Sequence, residues 1–135
     1  NLAVFGLAFK GGTDDIRESP AIEIVQMLLK EGCCVTLFDP AAMERAKTVL
    51  EPGPQVRYAA DIYEAARDAH AVVVLTDWRE FATVDLDRLR HTLRHPIVID
   101  GRNMYDPDVM LDKGFTYFSV GRPHPAAGVQ ALRNP

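Results

Sequence analysis

The sequence predicts an α/β fold, a doubly wound parallel sheet of six strands in the order 3-2-1-4-5-6 with right-handed crossovers. Three observations predict it. Short apolar runs alternate with amphipathic helical stretches along most of the chain. The run Ala71 to Leu75 is almost wholly apolar, as a central parallel strand covered on both faces must be. The first apolar run, Leu2 to Phe5, breaks at Gly6 into a charged loop that leads directly into a helix, the usual setting for anion recognition in such folds.

The elements follow in order. After the first strand and its loop, Ala21, Ile24, Val25, Leu28 and Leu29 keep the spacing of one helical face, with Ser19 as N-cap, Pro20 at N1 and Gly32 as the stop. Val35 to Phe38 is a second strand. Asp39-Pro40 then opens a helix with Met43, Ala46, Val49 and Leu50 inward, closed by Pro52-Gly53-Pro54. Val56 to Tyr58 is a third strand, and Asp61 with Glu64 forms a capping-box signature before Ile62, Ala65, Ala66 and Ala69. Thr76-Asp77-Trp78 closes the fourth strand. Leu86, Leu89 and Leu93 mark a further helix, and Pro96 to Ile99 a fifth strand followed by the polar loop Asp100-Gly101-Arg102-Asn103. A short helix at Pro107 to Leu111 and a sixth strand at Phe115 to Phe118 complete a domain spanning residues 1–121; residues 122–135 lack periodicity and read as a mobile tail.

The totals bound the function. A chain of 135 residues, 47% hydrophobic and 25% charged, suits a single globular domain. A net charge of -4 argues against bulk capture of nucleic acid. No stretch approaches the roughly 18 consecutive apolar residues of a membrane span. Cys33 and Cys34 are adjacent and unsuited to pairing with each other. They read as small residues entering a strand, one facing the interior, in a reducing cytoplasm. His70, His91, His95 and His124 are scattered and suggest no metal site. A start at Asn1, within a strand, suggests a piece of a longer protein.

Ligands of a doubly wound sheet bind beyond the carboxyl ends of its strands, where the winding reverses between strands 1 and 4. The loops there carry Lys10, Arg17, Asp77, Trp78 and Arg102. Two phosphate motifs fail in the first loop. A Rossmann fingerprint lacks its second and third glycines after Gly6, and a P-loop lacks its lysine, Gly12 standing in that place. The architecture is Rossmann-like without autonomous dinucleotide binding, and Asp39 then reads as a helix cap rather than a ribose ligand. Taken alone, Lys10 and Arg102 fit solvated loop cations, and Arg17 a partner of Asp14, Asp15 or Glu18. Their place at the strand ends shifts the balance toward a site. Trp78 and Phe81 read as a small apolar cluster over the sheet end.

Gly6-Leu7-Ala8-Phe9-Lys10, Thr13-Asp14-Asp15-Ile16-Arg17-Glu18, Asp39-Pro40, Thr76-Asp77-Trp78-x-x-Phe81, Asp100-Gly101-Arg102-Asn103 and Gly114-Phe115-x-Tyr117 stand together in one order. As a set they resemble the C-terminal UDP-binding domain of the UDP-glucose/GDP-mannose dehydrogenase family. The resemblance runs to about Arg122, and the Thr76 and Asp100 segments resemble the bacterial enzymes acting on UDP-glucose more than those acting on GDP-mannose. It implies an NAD-dependent oxidoreductase that oxidises C6 of UDP-glucose in two steps to UDP-glucuronate. An N-terminal domain would hold NAD, a central region would join it to this one, and the full-length protein would be a homodimer. The family's catalytic residues fall outside this chain, so the piece alone should be inactive; Cys33 and Cys34 do not match the nucleophile. The resemblance further implies that Phe9, Lys10 and Arg102 contact the UDP-sugar and that Arg17 reaches the NAD pyrophosphate. The alternatives are a dehydrogenase of another nucleotide sugar, GDP-mannose or UDP-N-acetylmannosamine, and a non-catalytic nucleotide-binding regulatory module.

Overall fold

Six strands lie side by side, all parallel, in the order β3-β2-β1-β4-β5-β6. The computed structural model describes residues 1–120; the expected boundary at 121 and tail 122–135 lie outside them. The strands are β1 (Leu2–Phe5), β2 (Val35–Phe38), β3 (Val56–Tyr58), β4 (Ala71–Val74), β5 (Ile97–Asp100) and β6 (Thr116–Ser119). Between them run α1 (Pro20–Lys30), α2 (Met43–Ala46), α3 (Ile62–Ala66), α4 (Arg79–Ala82), α5 (Leu86–Thr92) and α6 (Pro107–Asp112). The predicted strand order is the observed one.

Strand periodicity divides the core. Ala3 and Phe5 of β1, with Val72 and Val74 of β4 and Val98 of β5, join Ala65, Ala66, Phe81, Leu89 and Met110 of α3 to α6 in one apolar layer. Val4, Val35, Leu37 and Val73 point to the other face and pack with Ala21, Ile22 and Val25 of α1 and Ala46 of α2. β4 is buried along its whole length, which its apolar run predicts.

Several local expectations are corrected. On α1 the inward position is Ile22, while Ile24 is exposed, because the buried face centres on Ala21 and Val25. Ser19 occupies the N-cap, yet its side chain makes no cap bond; the hydroxyl donates to the Leu7 carbonyl at 2.9 Å. Cys33 and Cys34 do not enter β2, and neither is buried. The Cys33 amide donates to Leu28 O and the Gly32 amide to Leu29 O, with Gly32 at φ +89°. These bonds close α1 in a left-handed cap, and the cysteines lie between it and β2, with the Cys34 carbonyl accepting from the Leu2 amide at 2.9 Å. The second helix begins at Met43 rather than Asp39-Pro40 and ends after one turn. Val49 therefore points to solvent and Leu50 takes the buried place. Asp61 caps α3 by accepting from the Glu64 amide, while Glu64 reaches back to the Ala60 amide rather than that of Asp61. Helix α4 was not expected; it seats Phe81, fully buried, against Phe5 and Phe38.

Candidate nucleotide-binding site

The site is built where β1, β4 and β5 end side by side. Gly6 opens the first loop at φ +104°, and a side chain there would collide with Thr76. Thr76 in turn donates to the Ala8 carbonyl at 2.9 Å. Asp39, fully buried at the end of β2, accepts from the Leu7 and Ala8 amides and from Trp78 Nε1 on one oxygen. Its other oxygen accepts from the Ala41 and Ala42 amides. Asp39 is therefore not the cap of α2, whose N-cap is Ala42; it closes the turn ahead of that helix. The same carboxylate fixes the root of the first loop and the indole of Trp78, which leaves it no capacity for a ribose. Trp78 and Phe81 do lie in the apolar cluster expected over the sheet end.

The tip of the first loop is charged and open to solvent. Phe9 is 47% exposed, and its amide donates to the Asp15 carbonyl at 2.7 Å. Arg17 makes a two-pronged pair with Asp15, Nε to Oδ1 at 3.0 Å and a terminal nitrogen to Oδ2 at 2.9 Å. Arg17 hydrogen bonds hold the Asp15 carboxyl down at about 2. Asp14 is tied to Arg45, just inside α2, at 2.9 Å. Phe9, Asp15, Arg17 and Glu18 line an open depression of about 430 Å³. A smaller cleft of about 130 Å³, lined by Leu2, Val35, Thr36 and Arg57 among others, lies at the opposite, amino-terminal end of the strands and away from these loops.

Loop 101–106 has a separate anchor. Asp100, fully buried at the end of β5, accepts from the Arg102, Met104 and Tyr105 amides and from the Tyr117 hydroxyl at 2.6 Å. The backbone closes tightly over it, since a Cβ on Gly101 would lie 2.9 Å from the Val74 carbonyl oxygen. Tyr105 donates to the Phe81 carbonyl at 2.6 Å; burial, reinforced by the Asp100 charge, raises its pKa and keeps the donor protonated. The result presents Arg102 at the sheet's carboxyl edge.

Asp77 joins the two loops. One oxygen accepts from the Gly11 amide at 2.7 Å, and the other pairs with Arg102 at 3.3 Å. The Gly11 hydrogen bond, then the charges of Arg102 and Lys10, hold its carboxyl below the ordinary range. Of the residues singled out in the sequence, Arg102 pairs with Asp77 and Lys10 stands next to the Gly11 that Asp77 holds, while Phe9 and Arg17 line an open depression. The anchoring roles of Asp39, Asp100 and Asp77 were missed. An Asp closing an apolar strand before a tight turn, as in Asp39-Pro40 and Asp100-Gly101, was the available signal. No described helix is long and apolar enough to cross a membrane. Among the described residues no group of three His, Cys, Asp or Glu side chains could hold a metal ion.

A parallel sheet in the order β3-β2-β1-β4-β5-β6, with charged loops at its reversal point, defines a Rossmann-like α/β domain. Residues 3–107 match the UDP binding domain of the UDP-glucose/GDP-mannose dehydrogenase family, and the chain belongs to that family. A UDP-glucose 6-dehydrogenase of Rhizobium meliloti (strain 1021) is 47% identical over 122 residues, covering 90% of this chain and 27% of that protein. The structure of a UDP-glucose dehydrogenase from Pyrobaculum islandicum superposes with a TM-score of 0.72 at 32% identity, covering 90% of this chain and 25% of that one. That of an NDP-N-acetyl-D-galactosaminuronic acid dehydrogenase from Methanosarcina mazei Go1 gives 0.72 at 30% identity, covering 90% and 24%. The chain thus spans about a quarter of the length of these relatives.

Proposed function

We propose that the chain holds the UDP moiety of a nucleotide sugar for an NAD-dependent dehydrogenase that converts UDP-glucose to UDP-glucuronate. The observation that carries this reading is that Asp77 pairs with Arg102 and holds the amide of Gly11, next to Lys10, where strands β1, β4 and β5 end. Two cations on separate, well-anchored loops suit a diphosphate that must stay fixed while a distant carbon reacts. Phe9, exposed beside them, offers an apolar face to the same ligand.

The residues present do not fit NAD as a principal site. The glycine fingerprint is missing, and Asp39 is committed to backbone amides and Trp78. In this reading NAD is bound mainly by another domain of a full-length homodimer in the cytoplasm, and Arg17 supplies one contact to its pyrophosphate from across the cleft. The chain carries no catalytic residue in this scheme; it binds and orients.

A second reading, a different nucleotide sugar, is favoured by the Methanosarcina relative, a dehydrogenase named for NDP-N-acetyl-D-galactosaminuronic acid. The full-length protein, given NAD and a panel of nucleotide sugars, should form NADH fastest with UDP-glucose. Preference for another sugar selects the second reading. NADH production by residues 1–135 alone would overturn the division of labour.

A further inference from the structure

We propose that Asp77 is a positioning residue that acts as a stand-in anion: it occupies Arg102 until the diphosphate of the ligand displaces it, and so sets how tightly the site binds. This rests on the UDP-binding reading above. The two carboxylate oxygens are bound unequally. Oδ1 takes the Gly11 amide at 2.7 Å, and the loop is pressed so close that a Cβ on Gly11 would lie 2.7 Å from the Asp77 carbonyl oxygen. This half of the residue is fixed. Oδ2 meets Arg102 at 3.3 Å, longer than the roughly 2.7–2.9 Å of a strong charge-assisted bond, with the two side chains 44% and 35% exposed. An ion pair of this kind is weak and readily exchanged.

The geometry points the exchangeable half toward the incoming ligand. Asp77 lies between the loop carrying Lys10 and the loop carrying Arg102, and both cations act on it. Those interactions keep it ionised at neutral pH. A single carboxylate thus offsets one of two cations that would otherwise attract any phosphate. A diphosphate carries more charge and more acceptor oxygens than Asp77, so it can take the guanidinium. A singly charged anion gains little by doing so. The Gly11 tether keeps Asp77 from swinging away, and its charge continues to oppose the bound ligand.

The test measures UDP binding by calorimetry on the full-length protein without NAD, for wild type, Asp77→Asn, Arg102→Ala and the double variant. Asp77→Asn keeps an oxygen for the Gly11 amide and removes only the charge. It should bind UDP about three- to tenfold more tightly, with the gain shrinking as salt rises. In the Arg102→Ala background the same substitution should change affinity less than twofold. Unchanged or weaker binding in Asp77→Asn, or an equal gain in both backgrounds, would overturn the proposal. Failure of the underlying site would look different, because Lys10→Ala and Arg102→Ala would then leave UDP affinity untouched. Should Asp77→Asn perturb folding by circular dichroism, Asp77→Ser gives the same charge comparison.

Discussion

The loops after β1 and β5 end at one site but are held by opposite means. Loop 101–106 is organised from within: Asp100, the residue that ends its own strand, gathers its amides, and Tyr117 from the adjacent β6 locks the carboxylate. Loop 6–19 is organised from outside, by Asp39 at its root and Asp77 at its crest. Beyond those borrowed anchors its tip rests on exposed pairs, Arg17 with Asp15 and Arg45 with Asp14. The comparison teaches that a short loop can present a cation rigidly from a buried carboxylate. A longer one needs neighbouring strands to supply that function, and its outer part stays open to charge and pH.

The largest effect should come from the internal anchor. Asp100→Ala removes the acceptor of three backbone amides, that of Tyr105 buried and those of Arg102 and Met104 part-buried, while the Tyr117 hydroxyl keeps the Tyr105 carbonyl. Each unsatisfied buried donor costs about 1–3 kcal/mol. A loss of about 3–5 kcal/mol in urea denaturation is expected. A loss under about 1 kcal/mol would mean that water reaches the loop and that the buried anchor is not what distinguishes it.

Next come the presented cations. Lys10→Ala and Arg102→Ala should each weaken UDP-sugar binding to the full-length protein by about 1.5–3 kcal/mol, roughly ten- to hundredfold. Stability should hardly change in either, since both are exposed. Non-additivity in the double variant, by titration calorimetry, would show that the two loops act on one ligand. Strict additivity would separate them.

A smaller effect is expected at the tip. Arg17→Ala in the full-length protein should raise KM for NAD more than KM for the UDP-sugar; equal changes would remove Arg17 from the cofactor side. The same pair gives the outer loop a pH dependence. Asp15 sits at about 2 in the fold, below the 3.8 of an ordinary aspartate. Its contribution is therefore complete above about pH 4 and is lost as pH falls toward 2. Carboxyl chemical shifts of Asp15 should show that depressed midpoint, and Arg17→Ala should return it toward the ordinary value. The smallest effect belongs to Cys33→Ser with Cys34→Ser. Both lie between the cap of α1 and β2, and neither side chain is buried, so turnover should stay near wild type.

The strands, their order and every helix but α4 were legible because the signals are local. Alternating apolar runs, the helix stop at Gly32 and the buried run at Ala71 act over a few residues, and crossover handedness then orders the strands. The sequence by itself also marked Lys10, Arg17 and Arg102 as strand-end cations and carried the motif set of the family. Partnership was decided only in three dimensions. Arg17 had three carboxylates within reach along the chain, and the loop's turn selected Asp15. Asp39 meets Leu7 from 32 positions away, and Asp77 meets Gly11 from 66. The local sequence marks Asp39 as a strand-closing turn residue, and nothing near either Asp names its distant partner. The physical reason is that a carboxylate is buried only where enough donors converge on it. That convergence follows from which strand ends the parallel sheet sets side by side, so only the assembled structure could turn Asp39, Asp77 and Asp100 from turn residues into the frame of the site.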